Sequence, residues 1–326
     1  MRISSSSSKG SSSSAPSGCS GAVLRRLAAI ALLAGAAFGA ASCGRKESGK
    51  KVIGFSQANL GEPWRVAMNA QVAERARDFP DLDFVYADAQ QDNAKQVADV
   101  ESFLRQKIDL LIISPNEAKP LTPVVKRAFD AGIPVIVLDR EIEGDTYTTF
   151  IGANNREIGA AAGEYAVTLL KGKGNVVEIK GLPGSTPARD RSEGFRAAIA
   201  KYPDIHIVHD PVANWLREEA MTQMESALAA NARIDLVYAH NDPMAVGAWL
   251  AAKAKGRDKE MLFIGIDGLP GIDGGQQAVA DGKLAATFVY PTGGREAVET
   301  AVKILKGETV PHRITLPTQR IMPPTK

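Results

Sequence analysis

Two cysteines and four histidines in 326 residues leave little from which to build a disulfide framework or a metal centre. Cys19 lies inside a leader-like segment and Cys43 ends it, so stability beyond them rests on a hydrophobic core. His206 and His209 stand an odd number of positions apart on a strand-like run and point to opposite faces. With no further His or Cys at ligand spacing, they imply neither a metal nor a cofactor. Enzyme loops are missing too. The chain has no GxSxG elbow, no GxxxxGK[ST] phosphate loop and no GxGxxG after the first strand, which favours binding over catalysis.

Basic surplus is also lacking. The first 43 residues run from a Ser-rich stretch through Arg25 and Arg26 to an apolar segment and then small residues. This order reads as a secretory signal, and the apolar run falls short of the ~20 residues that a membrane span needs. Cys43 is a candidate for lipidation, although Ala40 stands where such signals usually carry leucine; plain cleavage near Ala41 is the alternative. The leader carries four basic residues and no acidic ones, so its removal turns the formal charge from +2 to −2. No basic excess remains to hold nucleic acid. Residues 44–50 form a polar tether.

What the chain does have is alternation. Short aliphatic runs at 52–56, 83–87, 109–114 and 134–139 read as strands, and helical spacing fills 63–79, 93–107 and 119–132. The pattern restarts with strands at 174–181, 205–210, 234–240 and 262–267, and helices at 188–200, 215–230 and 242–255. A strand at 284–290, a helix at 293–306 and a closing segment at 313–321, which can cross back between the units, complete the chain. Strand–helix alternation of this kind predicts an α/β fold of two doubly wound parallel-sheet lobes. The lobes are expected at 51–153 plus 290–317, and at 154–289 plus 318–326, with hinge crossings near 153, 289 and 317.

Ligands of open parallel sheets sit beyond the carboxyl ends of the strands. There the sequence places Glu62, Trp64 and Arg65, then Asp139 and Arg140, Asn241 and Asp267, with Arg191 on the helix after 174–181. Carboxylates, an amide, planar guanidinium forks and an aromatic face suit a neutral polyhydroxylated molecule, whose hydroxyls both donate and accept. Three acids against three arginines predict a nearly neutral site. Each polar residue taken singly is also a plausible turn former or helix cap, Asn241 before Asp242-Pro243 above all. Asp139 and Arg140 are expected to neutralise each other's field, and Asp139→Ala to remove binding without altering the unliganded melting temperature.

"VIGFSQANLGEPWR", "VIVLDRE", "ARDRSEGFRAAI", "LVYAHNDPMAVGA" and "FIGIDGLP" together resemble the periplasmic sugar-binding proteins of the ribose/galactose type, relatives of the ligand-binding half of the LacI repressors. Within that family "GFSQ", the Trp64-Arg65 pair, "VLDR" and "VYAHND" look most like the galactofuranose-binding branch, although the acidic residue of "NLGEPWR" stands one position off that branch's loop. This resemblance implies a monomeric two-lobed receptor that closes on a monosaccharide and delivers it to an ABC permease. It assigns sugar contacts to Glu62, Trp64, Arg65, Asp139, Arg140, Arg191, Trp215, Asn241 and Asp267. Tyr290 stands where the ribose type has glutamine, which leaves pentose, hexose and furanose forms open. A receptor feeding a chemoreceptor or histidine kinase is the alternative. A repressor is disfavoured because a signal segment stands where its DNA-binding helices would be.

Overall fold

The computed structural model describes residues 49–323. The leader, Cys43 and most of the tether lie outside them. Among the described residues no helix is long and apolar enough to cross a membrane.

The first half of the chain runs β1 (Lys51–Gln57), α1 (Pro63–Ala76), β2 (Leu82–Asp88), α2 (Asn93–Arg105), β3 (Leu110–Ile113), α3 (Ala118–Asp130), β4 (Val135–Leu138) and β5 (Thr149–Gly152). The second runs α4 (Asn155–Leu170), β6 (Gly174–Ile179), α5 (Thr186–Ile199), β7 (Ile205–His209), α6 (Arg217–Ala230), β8 (Leu236–Ala239), α7 (Asp242–Ala254), β9 (Leu262–Asp267), α8 (Gly275–Ala280) and β10 (Ala286–Val289). The chain ends with α9 (Gly294–Leu305), β11 (Arg313–Thr315) and β12 (Arg320–Ile321).

These strands form two six-stranded sheets, β2-β1-β3-β4-β5-β11 and β7-β6-β8-β9-β10-β12. Every pairing is parallel except β12, which runs antiparallel to β10. Each sheet therefore repeats one doubly wound order, with a switch point beside β1 in the first and β6 in the second. The closing segment serves both, β11 pairing with β5 and β12 with β10.

Continuous aliphatic runs suit strands covered on both faces, and period two sorts their side chains. Ile53, Leu110, Ile112, Ile136 and Ile151 enter one cluster, while Leu111, Ile113, Val135, Val137 and Phe150 enter another on the opposite face. In the second sheet Val176, Leu236 and Ile264 face one way, and Val177, Val237 and Phe263 the other.

Sequence spacing did not reveal β5, α4 or α8. The first turn of α4 is nevertheless critical for the site, because α4 packs closely on α5. A Cβ at Gly159 would lie 2.3 Å from the Arg191 carbonyl oxygen, and one at Gly194 would lie 2.1 Å from that of Arg156. Hydrogen at both positions lets the two backbones meet, which fixes the register of Arg191 against α4.

Candidate functional site

Asp139 follows β4 with φ +68°, in the left-handed region that side chains other than glycine rarely adopt. Its carboxylate is buried. Oδ2 accepts from Arg65 Nη2 at 2.7 Å and from Ser114 Oγ at 3.0 Å, and Oδ1 accepts from the Tyr290 hydroxyl at 2.9 Å. Burial pushes this carboxyl up, but the charges of Arg65 and Arg140 and the Tyr290 hydroxyl outweigh it and hold Asp139 below its usual range. The hydrogen-bonded ion-pair partner of Asp139 is Arg65, which sequence adjacency did not suggest, while Arg140 Nε stands 3.9 Å away and acts on the carboxylate through its charge alone. The turn at Asp139 carries the Arg140 side chain off its neighbour, and Arg140 Nη1 donates instead to the Asn116 carbonyl at 2.8 Å. Burial, then the like charge of Arg65, draws the Arg140 guanidinium down to about 10.

Arg65 reaches the site from the first turns of α1. Its Nη1 donates to Gln57 Oε1 at 3.1 Å and to Ser114 Oγ at 2.6 Å, and its buried Nε finds no partner among the described residues. Beside it the Trp64 indole N–H donates to the Tyr290 carbonyl at 2.8 Å, with the two rings 5.2 Å apart. Glu62 caps no helix donor; its Oε1 accepts from Asn59 Nδ2 at 2.7 Å.

The second sheet supplies the facing wall. Arg191 on α5 donates from Nε to Asn155 Oδ1 at 2.8 Å and from Nη1 to the His240 carbonyl at 2.5 Å. Trp215 precedes α6 rather than opening it, since the helix begins at Arg217 and Trp215 holds φ +74°. Its ring lies 5.5 Å from the guanidinium carbons of both Arg140 and Arg191, a cation–π arrangement that ties the two walls through one indole. Asn241 is both cap and lining. Oδ1 accepts from Met244 N at 3.0 Å, as a helix cap does, and Nδ2 donates to the Trp215 carbonyl at 3.1 Å, which leaves one amide hydrogen unspent.

Asp267 ends β9 with φ +134° and receives no side-chain hydrogen bond among the described residues. Burial, then the neighbouring Asp242 carboxylate, push its carboxyl well above the ordinary range. Asp242 lies beneath it, accepting from Thr287 Oγ1 at 2.7 Å and from Gly268 N at 2.7 Å; burial raises its carboxyl to about 6. Charge balance at the site thus depends on the protonation of Asp267, which formal counting of acids and arginines missed.

Glu62, Trp64, Arg65, Asp139, Arg140, Arg191, Trp215, Asn241, Asp267 and Tyr290 all line one small cavity, joined by Pro187. The remaining donors of Arg140 and Arg191, the Asn241 amide and the Asp267 carboxylate are what this cavity offers a ligand. Three of its residues hold backbone in sparsely populated regions, strain that persists where surrounding structure enforces it. Sequence reading missed the supporting layer of Gln57, Ser114, Asn116, Asn155 and His240. Ser114 and Asn116 follow β3, so the strand-end argument could have found them; Asn155 followed a strand that was not recognised. Main-chain contacts close the cavity's flank, with Ala118 N donating to the Gly184 carbonyl at 3.0 Å and Glu141 N to Thr186 Oγ1 at 2.9 Å.

Known proteins share this architecture. Residues 53–309 match the family model described as a periplasmic binding protein domain. The ribose import binding protein of Escherichia coli (strain K12) is 33% identical, covering 80% of this chain and 87% of its own. The galactofuranose-binding protein of the same strain is 35% identical, with 81% and 85% covered. Among solved structures, the fructose binding periplasmic domain of a hybrid two component system superposes with a TM-score of 0.82 at 46% identity, covering 83% of this chain and 90% of that one. With the family model spanning most of its length and both lobe-like sheets present, this chain belongs to the periplasmic binding proteins.

Proposed function

We propose that the protein binds one monosaccharide in the cavity between its two sheets and closes upon it for delivery to an ABC permease. The observation that carries this reading is the cavity itself, where buried donors and acceptors from the carboxyl ends of both sheets converge beside the Trp64 and Trp215 rings. Such a site satisfies hydroxyls from two sides at once, so the closed arrangement is favoured only when both walls touch the ligand. The lobes are residues 51–153 plus 290–317 and 154–289 plus 318–326, rotating about the crossings near 153, 289 and 317. The protein acts as a monomer outside the cytoplasmic membrane, held there by lipid where Cys43 is acylated.

Unphosphorylated sugars fit best. The acids Glu62, Asp139 and Asp267 share the cavity with the arginines, and a phosphate would meet the Asp139 carboxylate, which is held ionised. D-fructose heads the candidates because the fructose binding domain shares 46% identity, followed by ribose and galactofuranose. That same relative favours a second reading, in which the closed receptor signals to a kinase.

Thermal shift of the purified protein with D-fructose, D-ribose and D-galactose tests the proposal. A sugar at ~100 times its Kd stabilises by about 2.7 kcal/mol, a rise of several degrees in Tm. No rise with any monosaccharide would sink it.

A further inference from the structure

The two hinge-proximal residues Asn155 and Tyr290 stand between a cation of one wall and a carboxylate of the other. Asn155 opens α4 just after the chain leaves the first sheet, and Tyr290 follows β10 just before it returns. Both side chains are buried.

Proton directions along this path follow from chemistry. Arg191 Nε can only donate, so the Asn155 atom 2.8 Å from it is the oxygen. Asn155 Nδ2 therefore faces Tyr290 and donates to its hydroxyl oxygen at 3.3 Å. The hydroxyl has one hydrogen, which goes to Asp139 Oδ1 at 2.9 Å or to the Asp139 carbonyl at 3.2 Å. Every bond runs donor to acceptor in one sense, from Arg191 through Asn155 and Tyr290 to Asp139, and aligned bonds of this kind strengthen one another.

We propose that Asn155 is a positioning residue for ligand selectivity: its amide orients Arg191 on one wall and, through the Tyr290 hydroxyl, occupies one acceptor site of Asp139 on the other. This rests on the binding reading above and deepens it. Asp139 already accepts from Arg65 and Ser114 on Oδ2. With Oδ1 engaged by Tyr290, little acceptor capacity remains for a ligand hydroxyl. Asn155 thus sets the number of hydroxyls that Asp139 can receive without touching any of them. Gly159, one turn along α4, meets the Arg191 backbone and keeps the two side chains in register.

Asn155→Asp is the diagnostic variant, because it keeps the shape and the acceptor for Arg191 but removes the donor. Arg191 keeps the new carboxyl ionised, and the Tyr290 proton turns to it and away from Asp139. Titration calorimetry with D-fructose, D-ribose and D-galactose should show Kd weakened roughly tenfold or more for the sugars that the unaltered protein binds. Their ranking should change while unliganded Tm is nearly kept. Unchanged Kd values and ranking, with only Tm lowered, would make Asn155 merely structural and overturn the proposal. A second arm needs no ligand. In a crystal structure of unliganded Asn155→Asp, the Tyr290 hydroxyl should leave hydrogen-bonding range of Asp139 Oδ1, and its retention there overturns the proposal. If the unaltered protein binds none of the three sugars, the monosaccharide reading fails while the crystal structure still decides the role of Asn155.

Discussion

Ala118 and Gly184 join across the cleft through their main chains, the N–H of one donating to the carbonyl of the other at 3.0 Å. Gly184 holds φ +83°, and a Cβ there would lie 2.2 Å from Glu117 Oε2, which is itself tethered to Asn93 through its other carboxylate oxygen. Gly184→Val should oppose closure by on the order of 1 kcal/mol, roughly fivefold in Kd. Titration with a bound sugar checks the affinity, and small-angle scattering should show less compaction on ligand addition. Full compaction at unchanged Kd would remove this contact from the closing mechanism.

Asp139 and Arg140 should behave unlike each other, although they are adjacent. The Asp139 carboxylate compensates the buried charge of Arg65 at 2.7 Å, so Asp139→Asn should cost stability as well as binding, about 3 kcal/mol by analogy with broken buried pairs. The sequence expectation of an unaltered unliganded melting temperature is thereby revised. Among the described residues Arg140 has no carboxylate within hydrogen-bonding range, Asp139 standing 3.9 Å away, and Arg140→Gln should weaken binding with little change in urea midpoint. Equal losses of stability in the two variants would contradict this division.

Two buried carboxylates should leave opposite marks on the pH profile of unliganded stability. Asp139 is held below its usual range, so its contribution is present above the unfolded value and lost as pH falls through the folded one. Asp242 titrates near 6 when folded, against 3.8 when free. The folded state then keeps a proton that the unfolded chain has released, and this contribution, complete below the unfolded value, is lost as pH rises through about 6. Asp242→Asn should flatten the fall in Tm between about pH 4 and 6. Parallel profiles for both proteins would show that Asp242 does not titrate there.

Gly159→Ala tests the α4–α5 contact. The added methyl meets the Arg191 carbonyl oxygen at 2.3 Å, and overpacking of this kind costs about 1–3 kcal/mol. Because Arg191 sits at the point of conflict, sugar affinity should fall together with the urea midpoint. Loss of stability with affinity intact would separate helix register from the site.

The residues that line the cavity were legible because a doubly wound sheet presents its strand ends in one place, and sequence gives strand ends directly. Their pairings were not. Arg65 and Asp139 are 74 positions apart, and adjacency in sequence suggested Arg140 instead; a single positive φ decided between them. The helix α4 escaped because its packed face is built of Gly159, Ala162, Gly163 and Ala166 beside Ile158, small residues that carry little hydrophobic contrast. With α4 and the four-residue β5 unseen, Asn155 had no strand end to belong to.

The strands β11 and β12 come late in the chain, one finishing the edge of each sheet. Neither sheet is complete without residues 313–321, so loss of this short segment would open an edge of both at once.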